Sequence, residues 1–313
     1  MKLFRTFGIS KEAYNSVLAI GNFDGLHLGH QNVISFAKNL AKKKNKPLSV
    51  LTFEPHPKCY FRRTFHGFRL TPFKIKFELI RELKVDFYIN IFFNNRFSKI
   101  NANDFINKIL IDSLMVNHVI TGVDFVFGNN KEGNVEMLKE HSIKTKSFDF
   151  SIVDDYKFDF KTRTSSSDIR KFLLNGNLKK AEKLLGRKWS IKSKVIRGKK
   201  LGSTIGFPTA NLNINNFCKM KFGVYLVCIS FKKDNFRTKF TGIANYGIKP
   251  TVNNITPILE VNIFDFKRDI YGEDVKIEFL LFIREEKKFD SLESLKSQIQ
   301  MDINFCKERI KSL

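Results

Sequence analysis

Ser16-Val17-Leu18-Ala19-Ile20-Gly21-Asn22-Phe23-Asp24-Gly25-Leu26-His27-Leu28-Gly29-His30 runs from a short apolar strand through a glycine-rich turn to the mouth of a helix. The helix continues through Val33, Phe36, Ala37, Leu40 and Ala41, spaced by three and four. Glycine lets backbone approach a phosphate, and a helix N-terminus offers unpaired N–H groups and the positive end of a dipole. Imidazoles at that point can donate hydrogen bonds to oxygens that gain charge as phosphorus is attacked. By itself, H-x-G-H also fits a strand–turn–helix carrying two surface histidines.

Working outward, Leu48–Phe53 reads as a second strand. Thr71-Pro72 predicts a helix start, with Thr71 as N-cap and Pro at the first helical position; Phe73, Phe77, Ile80 and Leu83 form its apolar stripe. Val85–Phe93 is strand-like, Asn103–Asp112 helical, and Val116–Thr121 strand again. Strands separated by helices of this length predict a doubly wound parallel sheet of Rossmann-like type. After Arg163 the pattern changes. Two short helices, Ser167–Leu174 and Leu178–Leu185, flank the breaker Asn175-Gly176-Asn177. Beyond Trp189 the period is two, as in Val275, Ile277, Phe279, Leu281 and Ile283, which predicts an antiparallel barrel or sandwich, with a β-barrel the expected form. Leu292, Leu295, Ile299, Ile303, Cys306 and Ile310 predict a closing helix. The boundary falls near Gly186–Trp189, giving domains 1–186 and 187–313.

The 313 residues fit two domains, and an apolar share of 42% excludes a wholly disordered chain. Lys plus Arg total 55 against 31 acids, a formal charge of +24 that favours anionic partners. The bases are spread over many elements and the chain is rich in Lys, Asn, Ile and Phe throughout, so a solvated basic surface is expected, without nucleic acid as a partner. Cys59, Cys218, Cys228 and Cys306 are far apart and lack C-x-x-C spacing, which argues against zinc and suits a reducing cytoplasm. The N-terminal stretch reads as a strand rather than a signal peptide, and no uncharged apolar run approaches membrane-spanning length.

A second phosphate-type cluster is Thr164-Ser165-Ser166-Ser167-Asp168-Ile169-Arg170, with hydroxyls at a helix start and an Arg one turn in. In the barrel half, Gly198, Gly202 and Gly206 precede Phe207-Pro208-Thr209-Ala210-Asn211-Leu212, a flexible loop running into a fixed turn. The Thr209 hydroxyl suits Mg²⁺, a hard ion that prefers oxygen.

Several blocks resemble the bacterial bifunctional riboflavin kinase/FAD synthetase family. Gly21–His30 resembles its nucleotidyltransferase signature, Phe53-Glu54-Pro55-His56-Pro57 its F-x-P-H-P segment, and Gly122-Val123-Asp124-Phe125-Val126-Phe127-Gly128 with Gly133 a third block. Ser165–Arg170 and Leu173–Arg187 match a fourth. The resemblance implies adenylyl transfer, in which FMN plus ATP gives FAD plus pyrophosphate. His27 and His30 then hold the phosphates, with Gly21, Asn22, Phe23 and Gly29 in the same phosphate-binding block. Ser166, Ser167 and Arg170 bind the departing β/γ portion, and His56 and Asp124 are candidates for nucleotide or flavin contacts.

Gly206–Leu212, Gly242–Val252 and Leu259–Phe266 resemble the riboflavin kinase blocks of the same family. They imply riboflavin plus ATP giving FMN plus ADP, with Glu260 as general base, Gly198, Gly202, Gly206 and Pro208 around the phosphates, and Thr209 and Asn211 on Mg²⁺. ATP, riboflavin and FMN are the expected partners of a cytoplasmic monomer or weak homo-oligomer. Departures from the pattern are Lys249 for Arg, Leu201 and Ser203 for basic residues, and Lys188-Trp189 where Pro and Tyr are usual. Two other readings compete: an enzyme retaining adenylyl transfer alone, and a basic nucleic-acid binder, which explains neither H-x-G-H nor P-T-A-N.

Overall fold

Six strands, β1 (Lys2–Phe4), β2 (Val17–Ile20), β3 (Leu48–Glu54), β4 (Phe87–Phe92), β5 (His118–Gly122) and β6 (Asp149–Val153), run parallel in the order β1-β4-β3-β2-β5-β6. The structure is a computed structural model that describes residues 1–156, 164–198, 201–251 and 254–311; Arg163, Lys199, Lys200 and Val252, and the side chains of Leu201, Ser203 and Lys249, lie outside the described set. The chain divides into two compact units, Met1–Ser166 and Ser167–Leu313.

A parallel sheet is covered on both faces, so its central strands carry continuous apolar runs. All of β2 and the first six residues of β3 are buried. Side chains alternate across the sheet. Leu18, Ile20, Leu51, Phe53, Ile89 and Ile91 pack with Phe105, Ile106, Ile109 and Leu110 of the helical segment Ala102–Ser113. On the other face Val17, Ala19, Val50 and Ile120 meet Ile34, Ala37 and Ala41 of α1 (Leu28–Lys44) and Ile80 of the helix Phe73–Glu82.

Two expectations need correction. Thr71 is not the N-cap of Phe73–Glu82; Pro72 holds that position and no side chain caps the helix. The Thr71 hydroxyl is instead taken up by Gly25, whose N–H it accepts at 2.8 Å. The edge strands β1 and β6 add to the four strands expected from the sequence.

In the second unit, β7 (Ser190–Ile196), β8 (Ala210–Asn213), β9 (Gly223–Phe231), β10 (Lys239–Thr251), β11 (Asn254–Ile263) and β12 (Asp274–Arg284) close an antiparallel barrel in the order β10-β11-β8-β7-β12-β9. Period two places Tyr225, Val227, Ile229, Leu259, Val261, Val275 and Ile277 in its core. The helix Leu292–Ile310 lays Ile299, Ile303, Cys306 and Ile310 against Val224, Leu226 and Ile243, from the opposite face of β9 and β10. Asp302, buried on that helix, takes Arg284 Nη2 at 2.7 Å and Nε at 2.9 Å, tying the helix to the end of β12.

Candidate active sites

Three sequence blocks leave the carboxyl ends of three adjacent strands. Gly21 follows β2, Glu54 ends β3 and Gly122 ends β5, with β2 between the other two. The strand order reverses at β2, the switch point where open α/β sheets bind ligands. A cavity of about 340 Å³ lined by Asn15, Asn117 and Phe148 lies at the amino ends of β2 and β5 and contains none of the expected site residues.

The turn after β2 is tightly wound. Phe23, Gly25 and Leu26 all have left-handed φ, at 47°, 88° and 39°. The Phe23 ring is buried beneath Gly21, where a Cβ would stand 2.9 Å from it, and meets the His30 ring edge-on at 5.3 Å. Phe23 therefore supports His30 through packing. Asp24, 1% exposed, braces the turn: Oδ2 accepts the Leu70 N–H at 3.1 Å, and Oδ1 accepts the Thr71 N–H at 3.0 Å and Arg69 Nε at 3.3 Å. Ser166 Oγ donates to the Asp24 carbonyl at 2.8 Å.

His27 caps α1, its Nδ1 accepting the His30 N–H at 3.3 Å. The neutral ring must then carry its proton on Nε2, which is left as a donor. The His27 and His30 rings stack 3.5 Å apart. Burial, followed by the neighbouring His27, holds the His30 pKa well below 6.5, so His30 is neutral at pH 7. Its Nδ1 and the Asn22 Oδ1 are buried with no hydrogen-bond partner among the described residues. His56 caps the short helix Pro57–Arg62 by accepting the Lys58 N–H at 3.1 Å, and Asp124 is exposed in the loop after β5. Gly29 abuts the His27 ring. Ser167 and Arg170 follow Ser166 on the helix Ser166–Leu174, within the second unit.

Sequence reading missed a buried charge cluster beneath this turn. Arg69 Nη1 binds Glu54 Oε1 at 2.6 Å, while Lys76, 0% exposed, lies 3.7 Å from Glu54 Oε2 and donates to the Asn22 carbonyl at 3.4 Å. Burial pulls Lys76 from 10.5 down to about 8. Burial also opposes the charge of Arg69, but Asp24 and Glu54 outweigh it and raise its pKa. The signal was available: Lys76 lies three residues after Phe73, inside the apolar stripe of its helix. Exposed Phe61, Phe65 and Phe92, on the segment after β3 and at the end of β4, form a further feature that no motif announced.

In the barrel, Glu260 of β11 faces Asn211 of β8 on one side and Asn245 of β10 on the other. Its neighbours Leu259 and Val261 are buried in the barrel core, so Glu260 projects from the outer face. Asn211, 4% exposed, has an Oδ1 with no partner among the described residues, and Gly198 packs so closely on its amide that a Cβ there would collide. The Gly202 carbonyl accepts the Phe207 N–H at 2.8 Å, and a Cβ at Gly202 would strike the Phe207 carbonyl and approach Thr209 Oγ1 to 3.2 Å. Gly206 has φ 90° and open space around it. Pro208 and Thr209 line a cavity of about 310 Å³, together with Val195, Val261, Ile263 and the loop 266–271.

A family model described as FAD synthetase matches residues 9–168, and one described as riboflavin kinase matches residues 185–310. A bifunctional riboflavin kinase/FMN adenylyltransferase of Haemophilus influenzae is 40% identical over 93% of this chain and 92% of its own. This chain belongs to the bifunctional riboflavin kinase/FMN adenylyltransferase family. Relatives of that name from Buchnera aphidicola (Schizaphis graminum) and Bacillus subtilis are each 38% identical, covering 98% and 94% of the chain and 98% and 92% of their own. Membership carries both enzymatic activities, riboflavin kinase and FMN adenylyltransferase, with flavins as substrates and products. A crystal structure of a Streptococcus pneumoniae protein named a macrolide-efflux protein superposes with a TM-score of 0.84 at 30% identity, covering 97% of this chain and 98% of that one. Among the described residues of this family member, no helix is long and apolar enough to cross a membrane.

Proposed function

We propose that the two activities occupy separate sites, adenylyl transfer at the His27–His30 turn and riboflavin phosphorylation beside Thr209 and Glu260. In the first, an FMN phosphate oxygen attacks the α-phosphorus of ATP, and the bond to the β-phosphate breaks to release pyrophosphate. Phosphate is already a competent nucleophile, so positioning and charge stabilisation carry the rate. His27 Nε2–H and the His30 ring donate to the phosphate oxygens, with Gly21, Asn22 and Gly29 shaping the cradle. The exposed Phe61, Phe65 and Phe92 offer apolar surface for the flavin ring, with His56 and Asp124 as further contacts. For Ser167 and Arg170, phosphate binding rests on the sequence motif.

In the second site, Glu260 accepts the proton of the riboflavin 5′-hydroxyl as its oxygen attacks the γ-phosphorus and ADP departs. The observation that carries this reading is the ladder pairing of Glu260 with Asn211, two residues after Thr209. The donor set fits Mg²⁺: Asn211 Oδ1 is buried and unbonded among the described residues, and Thr209 supplies a hydroxyl. When bound, Mg²⁺ screens the triphosphate charge. The nucleotide phosphates lie beside Thr209, with Gly198, Gly202, Gly206 and Pro208 around them.

We keep the functional boundary at 186/187, close to where the riboflavin kinase match begins at residue 185; residues 169–184 fall in neither match. A cytoplasmic monomer or weak homo-oligomer without nucleic-acid partners completes the reading; the four cysteines, far apart in sequence, fit a reducing compartment. The test supplies riboflavin, ATP and Mg²⁺ and separates the flavins by chromatography over time. FMN appearing first and FAD second is the expected result; FAD from supplied FMN with no phosphorylation of riboflavin overturns the two-site reading.

A further inference from the structure

The β8–β11 ladder ends at the pair Ala210 and Val261, one step short of Thr209. Continued in register, the next pair would set Thr209 opposite Asn262. Thr209 leaves the sheet at that step and lines the cavity instead. A strand that peels away forfeits the hydrogen bonds that oriented its backbone. Here a side chain supplies the replacement: Asn262 Nδ2 donates to the Pro208 carbonyl at 2.8 Å. The peptide so held is the one that leads into Thr209. On the other side of the turn, the Gly202 carbonyl holds the Phe207 N–H at 2.8 Å. Pro208 has no N–H to offer, so its carbonyl is the only backbone hydrogen-bonding group through which that residue can be anchored. Asn262 also lies two residues beyond Glu260 and so on the same outer face of β11.

We propose that Asn262 is a positioning residue of the riboflavin kinase site, its side-chain amide taking over where the strand ladder stops and fixing the turn that carries Thr209 beside the nucleotide. The inference rests on the reading of Thr209 given above. Asn262 touches neither substrate; it acts by setting where the Thr209 hydroxyl stands relative to Glu260. Loss of the donor leaves Glu260 and its strand in place and loosens the turn, so the effect falls on nucleotide affinity more than on turnover at saturation.

The experiment measures riboflavin kinase kcat and KM for MgATP in the full chain for Asn262→Ala, Asn262→Asp and Asn262→His, with Thr209→Val alongside. Ala and Asp both remove the donor, and Asp keeps the shape. The expected result is a rise in KM for MgATP of about 3- to 10-fold in both, with kcat within about two-fold of the unaltered chain. Asn262→His, which can set a ring N–H where the amide stands, restores KM. Loss in Asp alone, with Ala unaffected, assigns the effect to a new charge beside Glu260 and overturns the proposal. So does a KM unchanged in both Ala and Asp while Thr209→Val is impaired, an outcome that leaves the reading of Thr209 intact. Full kinase activity in Thr209→Val overturns that reading and the Asn262 proposal with it.

Discussion

The ring of His27 holds the backbone of His30 and lies flat against its side chain: Nδ1 accepts the His30 N–H at 3.3 Å while the two rings stack 3.5 Å apart. One imidazole therefore ends the helix, fixes its own tautomer and fixes its neighbour. Structural and chemical roles of this kind are separable by substitution.

Asn is among the best N-caps and can accept the same N–H. His27→Asn is expected to unfold at the same temperature as the unaltered chain, yet to form FAD from FMN and ATP about 10²–10³-fold more slowly, as for loss of one charge-stabilising donor. Riboflavin phosphorylation by the same protein should be unchanged. A slow FAD step that accompanies a fall in unfolding temperature would trace the loss to the cap.

Glu260→Gln keeps the size and outward position of the side chain and removes the base. The expected effect is a fall in kinase turnover of about 10²–10⁴-fold, with conversion of supplied FMN to FAD intact. Chromatography of both reactions on one preparation reads the two together; an equal loss in both would contradict separate sites.

Asp24 accepts from Leu70, Thr71 and Arg69 while almost wholly buried. Asp24→Ala strands the Arg69 guanidinium with Glu54 as its remaining carboxylate, a loss on the order of 3 kcal/mol. Because the chain has two units, the clean measurement is heat inactivation of each activity: FAD formation should fail at a lower temperature than before, and kinase activity should not.

Lys76 titrates lower in the folded chain, about 8, than its ordinary 10.5. Between those values the unfolded chain binds more protons than the folded one, so this group's contribution to stability rises with pH across that window and is lost as pH falls through about 8. Unfolding temperatures of the unaltered chain and Lys76→Met, compared at pH 7.5 and pH 10, should show the unaltered chain gaining relative to Met as pH rises. A pH-independent difference would place the folded value near 10.5.

Both folds were legible because each burial pattern has its own period. The short, turn-bounded apolar runs Val17–Ile20 and Leu48–Phe53 suit strands covered on both faces, and the alternation of Val275, Ile277 and Phe279 suits one covered face. The edge strands were not legible: β1 is three residues long, and β6 is mostly unburied, so neither carries a period. The site motifs were legible as blocks, and strand order brings three of them together, but their internal division of labour was not. Whether Thr71 caps a helix or serves Gly25 depends on a contact 46 residues away in sequence. Arg69 and Glu54 meet only once the chain has folded, and the hydrogen bond from Asn262 to Pro208 forms only where a ladder ends.

With Glu260 read as the base, as proposed above, its pairing with Asn211 ties chemistry to fold more tightly than a loop position would. A slip of β11 by one residue would turn Glu260 inward and push Leu259 and Val261 into water, losing the base and the barrel interior in a single error. On that reading a misaligned barrel is inactive as well as unstable, so FMN formation reports the register of β11.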